Sequence, residues 1–221
     1  NTRYLGDAAL NPKLTATTDI GEAVGGADAV LIAVPSSHFR EVLTNALPDM
    51  IEGIPVVSLS KGLEKHTRMR MTEIIRDMAP GCISGVLTGP NLAREIVAGQ
   101  AAASVLALEQ HDAALALQSV LNAGLFRVYT NDDVIGCELG GVLKNIIAIA
   151  VGMGDGLGAG DNTRAALITR GLAEMSRLGE ALHDADPTVH AMIVWCANPM
   201  VIAPNAGLIR SGMARDDLFC V

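Results

Sequence analysis

Lys144 and Asn145 interrupt an otherwise apolar stretch, Gly136-Cys-Glu-Leu-Gly-Gly-Val-Leu-Lys-Asn-Ile-Ile-Ala-Ile-Ala-Val-Gly152. They are its only charge and its only amide between Leu139 and Gly152. A lysine among packing residues either runs its ammonium out to water along its own methylenes or stands where an ammonium is used. Burial disfavours the charged form and lowers the pKa, and a lysine tuned in that way can exchange a proton with an alcohol. A largely dry Lys144 acting as an acid–base group is the expectation. Three other segments carry polar chemistry: Ser60-Lys61-Gly62, Thr88-Gly-Pro-Asn-Leu-Ala-Arg-Glu95 and Val34-Pro35-Ser36-Ser37-His38. A lysine in the first can reach a phosphate or an oxyanion, or simply be a solvated loop lysine. Gly89 in the second allows close backbone approach, and free N–H groups opening a helix there suit an anion or a carboxamide, although an ordinary strand-to-helix turn reads the same way. His38 is more often a surface residue than a catalytic one. His66, His111, His183 and His190 lack metal-ligand spacing, so no metal site is expected.

These segments fall where short apolar runs end. Asp28–Pro35, Pro55–Gly62, Ser84–Pro90, Ala103–Leu108 and Phe126–Asn131 read as strands, the first two as strands buried on both faces of a parallel sheet. Helical patterns lie over Ser36–Leu47, Thr67–Met78, Asn91–Ala98 and Asp112–Leu121. Alternation of this kind specifies an α/β sheet with helices on its faces, and in open α/β sheets ligands bind beside the carboxyl ends of the strands. From Asp133 onward strand runs cease. Two long helices, Ile135–Met153 and Asn162–Leu182, are expected there, with Asp161 or Asn162 as N-cap of the second and an Arg170–Glu174 pair one turn apart. The glycine-rich stretch Gly152–Gly160 follows a helix, so it reads as the link between closely packed helices and not as a phosphate loop. Asp155, Asn162, Thr163 and Arg164 beside it read as capping residues. The organisation is therefore a first domain over 1–133 and a helical second domain over 134–221.

Composition narrows the classes. The chain has 221 residues, half of them hydrophobic but only 3% aromatic, so the core is aliphatic. A net charge of −8 makes it a poor general binder of nucleic acid or of anionic membrane. The four cysteines, Cys82, Cys137, Cys196 and Cys220, form no C-x-x-C pair, which gives neither a zinc nor a redox motif. Uninterrupted apolar runs such as Ile146–Val151 are too short for a bilayer, and a cytoplasmic protein without membrane insertion is expected.

Taken in order, Val34-Pro35-Ser36, Ser60-Lys-Gly-Leu-Glu64, Gly89-Pro-Asn-Leu-Ala-Arg-Glu95, Phe126-Arg-Val-Tyr-Thr-Asn131, Asp133–Asn145, Asp155-Gly-Leu-Gly158 and Ala165–Met175 form a specific set. With it the chain resembles the NAD(P)-dependent glycerol-3-phosphate dehydrogenases of bacterial type. The resemblance implies an incomplete Rossmann-like doubly wound sheet followed by an all-helical substrate domain. It implies hydride transfer between NAD or NADP and the pair dihydroxyacetone phosphate and sn-glycerol 3-phosphate, supplying phospholipid synthesis. It makes Lys144 the proton donor and acceptor at the C2 oxygen. Lys61 would touch both substrate and cofactor; Gly89, Asn91 and Asn145 would contact substrate; Ala93 and Pro35 would contact cofactor. Many relatives carry serine where Asn91 stands. Two lysines near an oxygen gaining negative charge would stabilise it.

Two departures from the family pattern shape the expectations. No G-x-G-x-x-G follows a strand, so the phosphate loop and first strand are absent from this chain, which reads as a fragment. After Leu182 the Gly-Asp-Leu and Ser-Arg-Asn motifs of the family have no counterpart, and a frameshift there is the expectation. Competing readings are a catalytically inactive relative acting as a binding module and a hydroxyacid or ketopantoate reductase. The choice between NAD and NADP and the oligomeric state, a homodimer included, stay open.

Overall fold

The computed structural model describes residues 2–6, 8 and 10–183. The tail expected to diverge after Leu182, with His190, Cys196 and Cys220, lies outside the described residues apart from His183, which ends the last helix. The described chain divides into two compact units, one running to Val142 and the other starting at Leu143.

Five strands build the first unit: β1 (Val30–Ile32), β2 (Pro55–Ser58), β3 (Ile83–Thr88), β4 (Ala102–Leu108) and β5 (Phe126–Asn131). They lie side by side in chain order. β1, β2 and β3 are mutually parallel, with Val30 beside Val56 and Pro55 beside Ile83. β4 runs antiparallel to β3, pairing Thr88 with Val105, and β5 is parallel to β4. The reversal at β4 departs from an all-parallel reading. Between β3 and β4 the chain makes only one short helix, α5 (Ala93–Val97). Five helical residues rise about 7.5 Å, too little to carry the chain back along the sheet for a parallel crossover.

Both faces of the sheet are covered, as neighbouring residues of β2 show. Val56 packs on one face with Val30 and Ile32, with Phe39 and Leu43 of α3 (Phe39–Ala46) and with Ile74 and Ile75 of α4 (Met71–Met78). Val24 of α2 (Ile20–Val24) completes that cluster. Val57 packs on the other face with Leu87, Leu106, Leu108, Val128 and Ala114 of α6 (His111–Leu121). Each fully buried aliphatic contributes about 1.5–3 kcal/mol. The helix expected from Thr67 starts only at Met71, because Arg68 takes φ +60° and Arg70 is extended at the N-cap. Periodicity fixes the buried stripe Met71, Ile74, Ile75 but not the residue at which the first turn closes. A further short helix, α1 (Thr2–Leu5), stands at the start.

α7 (Val134–Gly156) leaves the sheet and runs into the second unit. Its first two turns bury Val134, Glu138 and Gly141, spaced i, i+4, i+7. Val134 meets Val86 and Ala107 on the sheet. In the second unit α8 (Asp161–His183) packs against the rest of α7. A Cβ on Gly171 would lie 2.8–2.9 Å from three side-chain atoms of Ile147, so the two helices meet at a glycine. Arg164 joins Asp155 and Asp161, each at 2.8 Å, across the turn between them, and Arg170 pairs with Glu174 at 3.4 Å. The uninterrupted apolar run understates this helix. By length and composition α7 is long and apolar enough to cross a membrane, because an 18-residue window within it keeps a high mean hydropathy with no more than two charges. One such helix is weak support for a span, and here its buried Glu138 is bonded into the sheet unit.

Candidate active site

Within the first unit, the loops after β1, β2 and β3 converge because these parallel strands end on the same side. Ladder bonding extends past the strands: Leu59 N–H donates to the Ile32 carbonyl at 2.9 Å. Ser60 Oγ then donates to the Val34 carbonyl, binding the loop after β2 to the loop after β1. Gly62 presses against Ser36; a Cβ there would stand 2.9 Å from Ser36 Oγ, and its φ of +128° suits glycine alone. Lys61 is exposed between these two anchors, and its Nζ donates to the Gly89 carbonyl at 3.0 Å.

Gly89 is the meeting point. Its carbonyl accepts from Lys61 and from Asn91 N–H, also at 3.0 Å. Its α-carbon lies against the start of β4, where a Cβ would be 2.6 Å from the Ala103 carbonyl oxygen and 2.9 Å from Ser104 Cα. Asn91 is half-buried, and its Oδ1 accepts from Ser104 Oγ. Lys61, Gly89 and Asn91, separated in sequence, are thus brought into one cluster. Pro35 caps the turn Ser36–His38 and is exposed, as is Ala93 at the first position of α5. His38 is exposed with Glu41 3.6 Å away.

Two networks that sequence reading did not mark hold the Lys61 loop from outside. Arg40 on α3 grips both oxygens of Glu64 at 2.7 and 3.0 Å and reaches Asp77 at 3.2 Å. Hydrogen bonding from Arg40, with a second bond from Thr67, holds the Glu64 carboxyl down at about 2. The same contacts, Glu64 first, push the Arg40 guanidinium further up. At the far end of the loop, Arg70 Nη1 and Thr72 N–H each donate to Glu138 at 3.0 Å, and Thr72 Oγ1 adds a third bond. Glu138 so closes the N-terminus of α4 with a carboxylate, where the helix dipole favours negative charge. One signal was available in the sequence: Glu138 occupies the same helical stripe as Val134 and Gly141, where an unpaired acid would be costly.

In the second unit Lys144 and Asn145 are both exposed, and Lys144 Nζ donates to Asn145 Oδ1 at 3.2 Å. This corrects the expectation of a largely dry lysine. Apolar neighbours in sequence are not neighbours in space: around α7 Ile149 is 63% exposed and Met153 53% exposed, so they do not wall the ammonium in. Among the described residues no group of three or more His, Cys, Asp or Glu could hold a metal ion.

The cluster at the strand ends offers an ammonium, a carboxamide and two glycines without side chains. That donor set suits the phosphates and ribose of a dinucleotide and the phosphate of a small substrate. Comparison with known proteins gives the family. Residues 1–114 match the family model for the NAD-dependent glycerol-3-phosphate dehydrogenase N-terminus, and residues 133–197 match that for the C-terminus. The NAD(P)+ glycerol-3-phosphate dehydrogenase 2 of Sphingopyxis alaskensis is 57% identical over 206 residues, 90% of this chain and 62% of that protein. The enzyme of the same name from Thermobifida fusca is 44% identical over 227 residues, 99% of this chain and 68% of its own. The crystal structure of glycerol-3-phosphate dehydrogenase from Coxiella burnetii aligns with a TM-score of 0.76 at 39% identity, covering 86% of this chain and 58% of that one. The chain spans 54–62% of the length of several of these relatives. The match to the family model continues beyond Leu182, to residue 197.

Proposed function

This chain belongs to the NAD-dependent glycerol-3-phosphate dehydrogenase family, and on that premise we propose that it serves the interconversion of dihydroxyacetone phosphate and sn-glycerol 3-phosphate with NAD or NADP, in the cytoplasm, feeding phospholipid synthesis. The observation that carries the reading is the Lys61–Gly89–Asn91 cluster at the carboxyl ends of parallel strands. We assign the functional boundary to residue 133, where the sheet ends, with 134–221 as the helical domain.

The nicotinamide, when bound, supplies or accepts the hydride at C2. The chain's own residues do the rest. Lys61 places positive charge against the phosphorylated substrate and the cofactor. Gly89 and Asn91 contact substrate through backbone and carboxamide. Pro35 and Ala93, one at the turn after β1 and one opening α5, border the cofactor. Lys144 Nζ delivers a proton to the C2 oxygen in reduction and takes it back in oxidation. Asn145 Oδ1 accepts from that Nζ, which leaves its Nδ2 protons to polarise the C2 oxygen. An exposed ammonium becomes an effective acid–base group only once bound ligands exclude water around it.

The test is turnover of dihydroxyacetone phosphate with NADH and with NADPH by the purified full chain and by Lys144→Ala. Loss of an acid–base group costs on the order of 10²–10⁴ in rate. Equal turnover by both proteins refutes the assignment.

A further inference from the structure

Ser104 is a hydroxyl where the fold wants none. It sits in β4 between Ala103 and Val105 and is 2% exposed. A buried hydroxyl without a partner is costly, and this one finds its acceptor in the Asn91 side chain at 2.5 Å. The antiparallel register puts it there: Thr88 pairs with Val105, so the next step along both strands sets Gly89 opposite Ser104. Gly89 lies so close to Ser104 that its own Cβ would stand 2.9 Å from Ser104 Oγ. The hydroxyl therefore has Gly89 on one side and the Asn91 carboxamide within reach.

We propose that Ser104 is a positioning residue that sets the orientation of the Asn91 carboxamide, making position 91 a two-proton donor for the phosphorylated ligand. An amide has one acceptor and two donors. Because Ser104 Oγ donates to Oδ1, the Nδ2 end of the carboxamide carries its two donors, and among the described residues nothing accepts them. A free asparagine would present oxygen or nitrogen with similar ease, and oxygen faces a phosphate with repulsion. A serine at this position could rotate its hydroxyl to suit a ligand. Asparagine needs an external anchor, and Ser104 is that anchor. The inference rests on the reading of Asn91 as a substrate contact.

The experiment uses the full chain, ¹⁵N-labelled, with the Asn91 Nδ2 resonances assigned by their loss in Asn91→Asp. In the free protein the two Asn91 Nδ2 protons of the wild type are expected at dispersed shifts, and in Ser104→Ala at shifts collapsed toward those of a mobile amide. Titration with sn-glycerol 3-phosphate should move these resonances in the wild type. The apparent Kd should rise about 3- to 10-fold in Ser104→Ala, the worth of one net hydrogen bond. Ser104→Cys, which keeps the volume with a weaker donor, should fall between the two. In an Asn91→Ser background, Ser104→Ala should leave the Kd unchanged. Undisturbed free-state shifts in Ser104→Ala, or an equal affinity loss in the Asn91→Ser background, overturn the inference alone. A wild-type chain whose Asn91 is anchored but which sn-glycerol 3-phosphate does not perturb overturns the substrate reading, and the ligand-positioning role with it.

Discussion

Replacing Glu138 with alanine removes one carboxylate and strands three donors. Thr72 is fully buried, and both its N–H and its hydroxyl point at Glu138. Each unsatisfied buried group costs about 1–3 kcal/mol. Arg70 is better placed, because Glu73 still holds its Nη2 at 2.8 Å after Glu138 is gone, so the penalty of 3–5 kcal/mol typical of a broken buried ion pair does not apply in full. Alanine in a helix interior returns about 0.5 kcal/mol of propensity. The net expectation is a loss of about 3 kcal/mol, a large fraction of the roughly 5–15 kcal/mol that holds a domain together. In a chain of this size that lowers Tm by about 6–12 °C. Glu138→Gln, which retains an acceptor for Thr72 N–H, should lose about half as much. Urea unfolding followed by far-ultraviolet circular dichroism reads both variants against the wild type. A Glu138→Ala protein within about 1 kcal/mol of the wild type would show that the buried carboxylate does not hold α4 and α7 together, and the reasoning would fail.

Gly89→Ala drives a Cβ to 2.6 Å from the Ala103 carbonyl oxygen, a backbone atom that cannot swing aside; the urea midpoint should drop by the equivalent of about 2 kcal/mol or more. Glu64 titrates at about 2 against 4.5 for a free carboxyl. Its contribution is therefore complete above the unfolded value and disappears as pH falls from about 4.5 through 2. Stability of the wild type measured by urea across that window should fall more steeply than that of Glu64→Gln, and parallel curves would contradict the Arg40 contact. Gly171→Ala should destabilise by about 1–2 kcal/mol because Ile147 must yield. Ile147→Val in the same chain should recover part of the loss, read by thermal melts of the single and double variants.

The sheet was legible from its β-branched runs ending in Pro, Ser-Lys-Gly or Gly-Pro; strand-end position marks Lys61 and the Gly89–Asn91 turn as candidates that ordinary loop residues would match equally well, and only the family resemblance names their roles. The start of α4 was not legible. Met71, Ile74 and Ile75 announce the stripe, but Arg68 at positive φ gives no compositional hint. The reversal at β4 hides in the brevity of α5. Ser104 reads as one more small residue in an aliphatic strand, and for Glu138 the stripe it shares with Val134 and Gly141 hints at burial but not at its partner, Arg70, 68 residues away. Lys144 was misjudged on burial for the converse reason: its sequence neighbours are apolar, yet they point elsewhere.

Because β4 enters the sheet at the end where β3 leaves it, the strand serves two masters along its length. Its opening residues, Ala103 and Ser104, border Gly89, whereas Leu106 and Leu108 sink into the interior. Sequence drift at the head of this strand would be felt first at the Gly89–Asn91 turn, while drift a few residues later would be felt only as a softer fold. Ser104 is itself buried, so only small side chains fit there, whereas the exposed Ala103 beside it leaves room for a wider set.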